Sequence, residues 1–152
     1  MKTEYITPFL ESAATVIEQV CNVATLRGEL ELKEVSLRED HVWIMVGLVG
    51  QFSGDVLFGI HREVALKIVS AMMGGFPIAD LDEMGKSAIS ELGNMISGNA
   101  STLLYSRGVQ IDISPPILVD ESAPPTFSGK ALSIPLTLGE MGQMEVQVLV
   151  IN

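Results

Sequence analysis

The chain has 152 residues, 47% of them hydrophobic and 18% charged, which suits a single domain over residues 1–152 with a core large enough to fold unaided and argues against disorder. Its net charge of −10 argues against direct nucleic-acid binding, which relies on clustered Lys and Arg, and leaves the chain poorly equipped to hold an anionic phosphate by itself. There is no apolar run of transmembrane length and no basic-then-apolar leader at Met1, so the expectation is a soluble, cytoplasmic protein with no membrane partner.

From Thr7 to about Val23, residues Phe9, Leu10, Ala13, Val16, Ile17 and Val20 recur with helical period, Thr7 standing as N-cap and Pro8 at the first helical position. Cys21 is alone, which excludes a disulfide framework and a cysteine metal site and reads as a buried, inert thiol. Glu29 to Leu37 alternates with Leu30 and Leu32 in one phase and Val35 and Leu37 in the other, a strand with a bulge or break. His41 to Gly50 is apolar in both phases, Val42, Ile44, Val46 and Leu48 against Trp43, Met45 and Val49. Both faces of such a strand need cover, which points to a sheet partly buried in a subunit interface.

Gln51 to Gly54 turns the chain into a second strand, Asp55 to Ile60. His41 and His61 flank these strands, share no metal-ligand spacing and read as surface histidines. Arg62 to Met73 is a shorter helix with Val64, Ile68 and Met72 on one face, ended by Gly74-Gly75. That double glycine follows a helix and lacks the Lys-Ser/Thr of a phosphate loop, so it is a terminator.

Asp80 to Gly108 reads as one long helix, with Asp80 or Asp82 as cap, Glu83 at the positive end of the macrodipole, and Arg107 then Gly108 as the stop. Capping also accounts for the acidic cluster Asp80, Asp82 and Glu83 without a cation. At 100° per residue Ile89, Leu92, Ile96, Ala100 and Leu103 form an apolar stripe that must pack on a core. Gly93 lies within the stripe at a cost of about 1 kcal/mol against alanine, which implies close approach of another element. Ser87, Glu91 and Asn94 occupy the opposite face, and Gly98, Ser101 and Tyr105 continue the line. The face is poor in the Lys–Glu pairs of a merely solvated helix.

Val109 to Ser114 alternates as a strand and halts at Pro115-Pro116, and Asp120 to Gly129 is a polar, proline-bearing loop. Ala131 to Leu138 points Leu132, Ile134, Leu136 and Leu138 inward, while Pro135 in the outward phase places this strand at an edge or a bulge. Gln143 to Ile151 is the last strand. The order αβββααβββ predicts an α+β, two-layer fold: an antiparallel-rich sheet of about six strands with helices packed on a face.

Neither a Ser/His/Asp set, a Cys/His pair nor a metal cluster assembles from this sequence, which argues against a self-contained hydrolase. The string Ser87-x-x-x-Glu91-x-x-Asn94, continuing Met95-Ile96-Ser97-Gly98-Asn99-Ala100 and followed by Pro115 and Pro116, closely resembles the CheC/CheX/FliY family of chemotaxis phosphatases, which dephosphorylate CheY-type response regulators. Family members of the CheC type carry the motif twice; this chain carries it once and so resembles the single-site CheX branch.

The resemblance implies a CheC/CheX-like fold and two catalytic residues, Glu91 and Asn94. Asn94 would hold the attacking water in line with the phosphorus, and Glu91 would pair with the regulator's active-site lysine and dock the helix. Ser87, Gly98 and Ser101 join Glu91 as partner-binding positions. No cofactor of the chain's own is expected, since the phosphoaspartate already sits beside Mg²⁺ on the regulator. Gly93 departs from a more helix-favouring residue between the two motif positions, which bears on how rigidly they are held. The resemblance also implies a homodimer paired through the sheet with the catalytic helix outward. The competing reading is a non-enzymatic module that binds a regulator or dimerises within a signalling assembly.

Overall fold

A computed structural model of the chain describes residues 6–35, 37–119 and 129–151. The elements run α1 (Thr7–Cys21), β1 (Thr25–Arg27), β2 (Glu31–Glu34), β3 (His41–Gly50), β4 (Ser53–His61), α2 (Arg62–Met72), α3 (Glu83–Ser106), β5 (Ile111–Ile113), β6 (Ile117–Val119), β7 (Lys130–Leu138) and β8 (Gln143–Ile151). One antiparallel sheet has the order β1-β7-β8-β4-β3-β5, with β2 following β1 along β7 and β6 following β5 along β3. The α+β class and two-layer arrangement are as expected; the sheet has eight strands rather than about six.

The two additional strands arise from breaks in the edge strands. Between the register pairs Arg27↔Leu136 and Glu31↔Ser133, three residues (Gly28, Glu29, Leu30) oppose two (Ile134, Pro135). Pro135 has no N–H to give, so its neighbour need not stay in register there, and the sheet's edge splits into β1 and β2. Pro135 thus marks a bulge. On the other edge Ser114, Pro115 and Pro116 oppose Val46 and Gly47 between the pairs Leu48↔Ile113 and Met45↔Ile117. Gly47 and Ser114 bridge this gap, the Gly47 amide donating to Ser114 Oγ at 2.7 Å and the Ser114 amide to the Gly47 carbonyl at 2.9 Å. The prolines interrupt the strand, and the chain resumes pairing as β6.

The helices cover one face of the sheet. Val42, Ile44, Val46 and Leu48 of β3, Val56, Phe58 and Ile60 of β4, and Met144, Val146 and Val148 of β8 point into a core shared with Phe9, Leu10, Ile17, Ile68, Ile89, Leu92 and Ile96. Burying a residue such as Phe58 or Ile89 contributes roughly 1.5–3 kcal/mol, so this layer dominates the stability. The other phase of β3 forms a smaller cluster. Trp43, 3% exposed, packs with Leu57, Val119, Ala131 and Leu149, and Val35 and Leu37 from the chain itself close over it. The Trp43 indole N–H donates to the Arg38 carbonyl at 3.2 Å, and its ring lies over Gly59, where a Cβ would come within 2.4 Å. The second face of β3 is therefore covered largely within the chain, and the exposed large apolar side chains of the sheet lie instead at its edges: Leu26, Leu30 and Leu32 on β1, β2 and the bulge between them, and Val49 and Ile117 at the other side.

Smaller expectations are corrected at element ends. Ile6, not Thr7, is the N-cap of α1 and makes no side-chain capping bond; Thr7 is already helical. The left-handed Asn22 ends α1 through its amide to the Glu18 carbonyl. Cys21 is only half-buried, and burial pushes its thiol above the ordinary value. Apart from Gly129, the loop expected at Asp120 to Gly129 lies outside the described residues.

Candidate functional site

The site is the outward face of α3, and its geometry follows from how that helix is held. Asp82, rather than Asp80, caps the start: its Oδ1 accepts the Gly85 amide at 2.9 Å, and Glu83 occupies the first turn. At the far end Arg107 reaches Glu11 of α1 at 2.7 Å and ties the last turn to the neighbouring helix. The underside buries Ile89, Leu92, Gly93, Ile96, Ala100 and Leu104. Leu104 replaces the expected Leu103, which is only half-buried. The stripe steps by four from Ala100 and not by three, as the 3.6-residue period requires over a helix this long.

Gly93 explains why the helix sits where it does. A Cβ at this position would lie 3.0 Å from Ile44 Cγ2 and 3.2 Å from Pro116 Cβ. The glycine lets the backbone of α3 rest against the centre of β3 and against the proline at the edge break. Its bearing on rigidity thereby reverses: the conformational freedom that glycine gives an isolated helix is removed by contact on two sides. The motif's proline, distant in sequence, stands at the foot of the helix between its two catalytic candidates.

Ser87, Glu91, Asn94, Gly98 and Ser101 all lie exposed along one line of α3. Glu91 and Asn94 are three residues apart, about 4.5 Å along the axis, and share one face. The face is convex and open, so these side chains cannot by themselves exclude water from a substrate; a second molecule must supply the opposing wall. Chemically the pair offers one carboxylate, able to accept from a cationic donor, and one carboxamide, able both to donate to and to accept from a water. Gly98 has nothing within 4 Å of where its Cβ would be, so no contact within the described chain requires a glycine there.

The other polar groups lie elsewhere. His41 and His61 point to the sheet face opposite the helices, where Asp40 joins them: Asp40 Oδ1 is 2.7 Å from His41 Nδ1, and Oδ2 is 3.4 Å from His61 Nε2. The bond from His41 holds the Asp40 carboxyl below its usual range. His61 also accepts the Glu63 amide and so caps α2, a role not read from the sequence, although a polar residue directly before a helical stretch is its usual signal. Among the described residues no three of His, Cys, Asp and Glu are grouped so as to hold a metal ion, and no helix is long and apolar enough to cross a membrane.

Comparison with known proteins places this geometry in context. The family model described as chemotaxis phosphatase CheX matches residues 42–137, a range that contains Ser87, Glu91, Asn94 and Pro116. The CheY-P phosphatase CheX of Thermotoga maritima is 44% identical over 75 residues, 49% of this chain and 48% of that protein, so the match spans about half of that relative's length. Among solved structures, a CheC-like superfamily protein from Shewanella sp. PV-4 superposes with a TM-score of 0.84 at 25% identity, covering 100% of both chains. The CheX–CheY–BeF3–Mg²⁺ complex from Borrelia burgdorferi contains a chain that matches with a TM-score of 0.80 at 28% identity, over 99% of this chain and 100% of that one.

Proposed function

This chain belongs to the chemotaxis phosphatase CheX family, and we propose that it accelerates hydrolysis of the phosphoaspartate of a CheY-like response regulator by inserting Glu91 and Asn94 of α3 into the regulator's active site. The observation that carries the reading is the seating of α3. Glu91 and Asn94 stand exposed on one face while Gly93, between them, is buried against Ile44 and Pro116, so both side chains project from a braced stretch of helix.

An acyl phosphate on a regulator needs little from its helper. In-line attack by water is governed by positioning and by stabilisation of charge on the phosphoryl oxygens. A carboxamide is a poor general base, but Asn94 can accept one hydrogen from a water and fix its approach. Glu91 pairs with the regulator's active-site lysine and sets the register of docking, and Ser87, Gly98 and Ser101 line the surface over which the regulator lies. Mg²⁺ belongs to the regulator, in keeping with the composition of the Borrelia burgdorferi complex. The acidic chain is suited to this division of labour, since the cations come from the partner. Such a reaction takes place in the cytoplasm.

The test is the dephosphorylation rate of CheY-type regulators from the same cell, phosphorylated with acetyl phosphate, with and without the chain. Wild type accelerates the loss of phosphate, and Asn94→Ala lowers that acceleration by roughly 100-fold, the scale of misplacing a reacting group, while still binding the regulator. Undiminished acceleration by Asn94→Ala would sink the assigned role. Binding without acceleration by the wild type would leave the non-enzymatic module as the function.

We also infer a homodimer paired through the sheet. The supporting surface is the β1–β2 edge, where Leu26 and Leu32 are 72% and 60% exposed beside strands whose outer edge no described strand occupies. This edge replaces the face of Trp43 and Met45 as the contact surface, because Trp43 is buried within the chain.

A further inference from the structure

Resting on the function proposed above, we propose that Tyr105 and Val49 form a second contact for the response regulator: an apolar anchor that sets affinity and takes no part in the chemistry. Tyr105 is 86% exposed and Val49 66% exposed. They border one groove at the C-terminal end of α3, whose lining also includes Ser101, Val109, Ile111 and Asp112. Single exposed apolar residues are ordinary on a soluble protein. What distinguishes Tyr105 is its position relative to Glu91 and Asn94.

Eleven residues separate Asn94 from Tyr105, a rotation of about 1,100°, which returns to within about 20° of the same line, and a rise of about 16 Å. Gly98 and Ser101, which lie between them on that face, are both small. A surface resting on Asn94 therefore passes low over Gly98 and Ser101 and next meets a tall side chain at Tyr105. The size of the contact agrees. A stable protein interface covers about 800 Å² on each partner, a disc with a radius of about 16 Å, so a footprint centred on Asn94 reaches Tyr105. Tyrosine suits such a position, since it offers a large apolar area with few rotamers to fix. The occupant is an apolar side chain on the regulator's surface next to its phosphorylation site, set against the Tyr105 ring over the groove that Val49 also borders.

An anchor distant from the reacting atoms changes binding and leaves turnover alone, which separates it from Glu91 and Asn94. Steady-state dephosphorylation of the phosphorylated regulator, with Kd measured on its beryllofluoride-activated form, reads the split. Tyr105→Ala raises KM and Kd about tenfold with kcat within about twofold of wild type, and Tyr105→Phe, which keeps the ring, stays within about twofold on all three. An unchanged KM in Tyr105→Ala, or a loss confined to kcat, overturns the anchor while the wild-type activity upholds the proposed function. A wild-type chain that accelerates no regulator overturns both. Should Tyr105→Ala instead alter the sedimentation of the chain alone, the groove belongs to a second copy and the anchor falls.

Discussion

Two glycines five residues apart on α3 provide a direct test of how that helix is seated. Replacing either by alanine removes the same intrinsic penalty, about 1 kcal/mol in a helix interior. At Gly98 nothing within 4 Å opposes the new methyl, so the gain is realised in full. For a chain of this length it raises Tm by roughly 2–4 °C. At Gly93 the methyl meets Ile44 Cγ2 at 3.0 Å and Pro116 Cβ at 3.2 Å. Ile44 is buried and flanked in the sheet by Phe58 of β4 and Leu118 of β6, and a proline ring has little freedom to give way, so the overpacking cost of about 1–3 kcal/mol cancels or exceeds the gain. The two variants should differ by about 1–3 kcal/mol in urea unfolding, Gly98→Ala above wild type and Gly93→Ala level with it or below. Gly93→Ala should also lower phosphatase activity, because relief comes from moving the helix that carries Glu91 and Asn94. Equal stabilisation at both positions would refute the claim that α3 is braced through Gly93.

Three further outcomes are expected. Glu91→Lys, at an exposed position, leaves Tm nearly unchanged but weakens binding to a beryllofluoride-activated regulator by about 2–5 kcal/mol, at least 30-fold, and equal affinity by calorimetry would remove the docking role. Burial raises the pKa of Glu145, but hydrogen bonds from Lys33 and Ser133 outweigh it and hold the carboxyl below its ordinary 4.5. A depressed acid lends stability that is complete above about 4.5 and lost as pH falls through the lower folded value, so wild type should lose urea resistance below about 4.5 more steeply than Glu145→Gln; parallel curves would contradict the pairing. Sedimentation at micromolar concentration should give about twice the chain mass, reduced to a monomer by Leu32→Lys, whereas a monomeric wild type would refute the dimer.

Most of the architecture is legible in periodicity. The long strands and the three helices announce themselves because each buries at least one face against the main core, and α3 carries its cap, stripe and stop within its own residues. The short strands β1 and β6 do not, since three residues are too few to show a period and both are created by register shifts opposite or beside prolines. The cover over Trp43 was equally hidden: Val35 and Leu37 read as a strand out of phase, and only the fold reveals that they close over the sheet's second face. At the site, helical spacing put Ser87, Glu91 and Asn94 on one line, but assigning them chemistry needed the family resemblance. The purpose of Gly93 needed coordinates, because Ile44 and Pro116 converge on it from distant parts of the chain.

The broken edge at Ser114 to Pro116 has a bearing on assembly size. Two consecutive prolines between β5 and β6 remove two amide donors from that side of the sheet and interrupt its register, which hinders another strand from continuing the ladder there. The β1–β2 side carries no proline and remains receptive. Under the pairing proposed above, a sheet with one receptive and one interrupted margin among its described strands would close on a single symmetric mate rather than propagate head to tail, so the proposed assembly would stop at two.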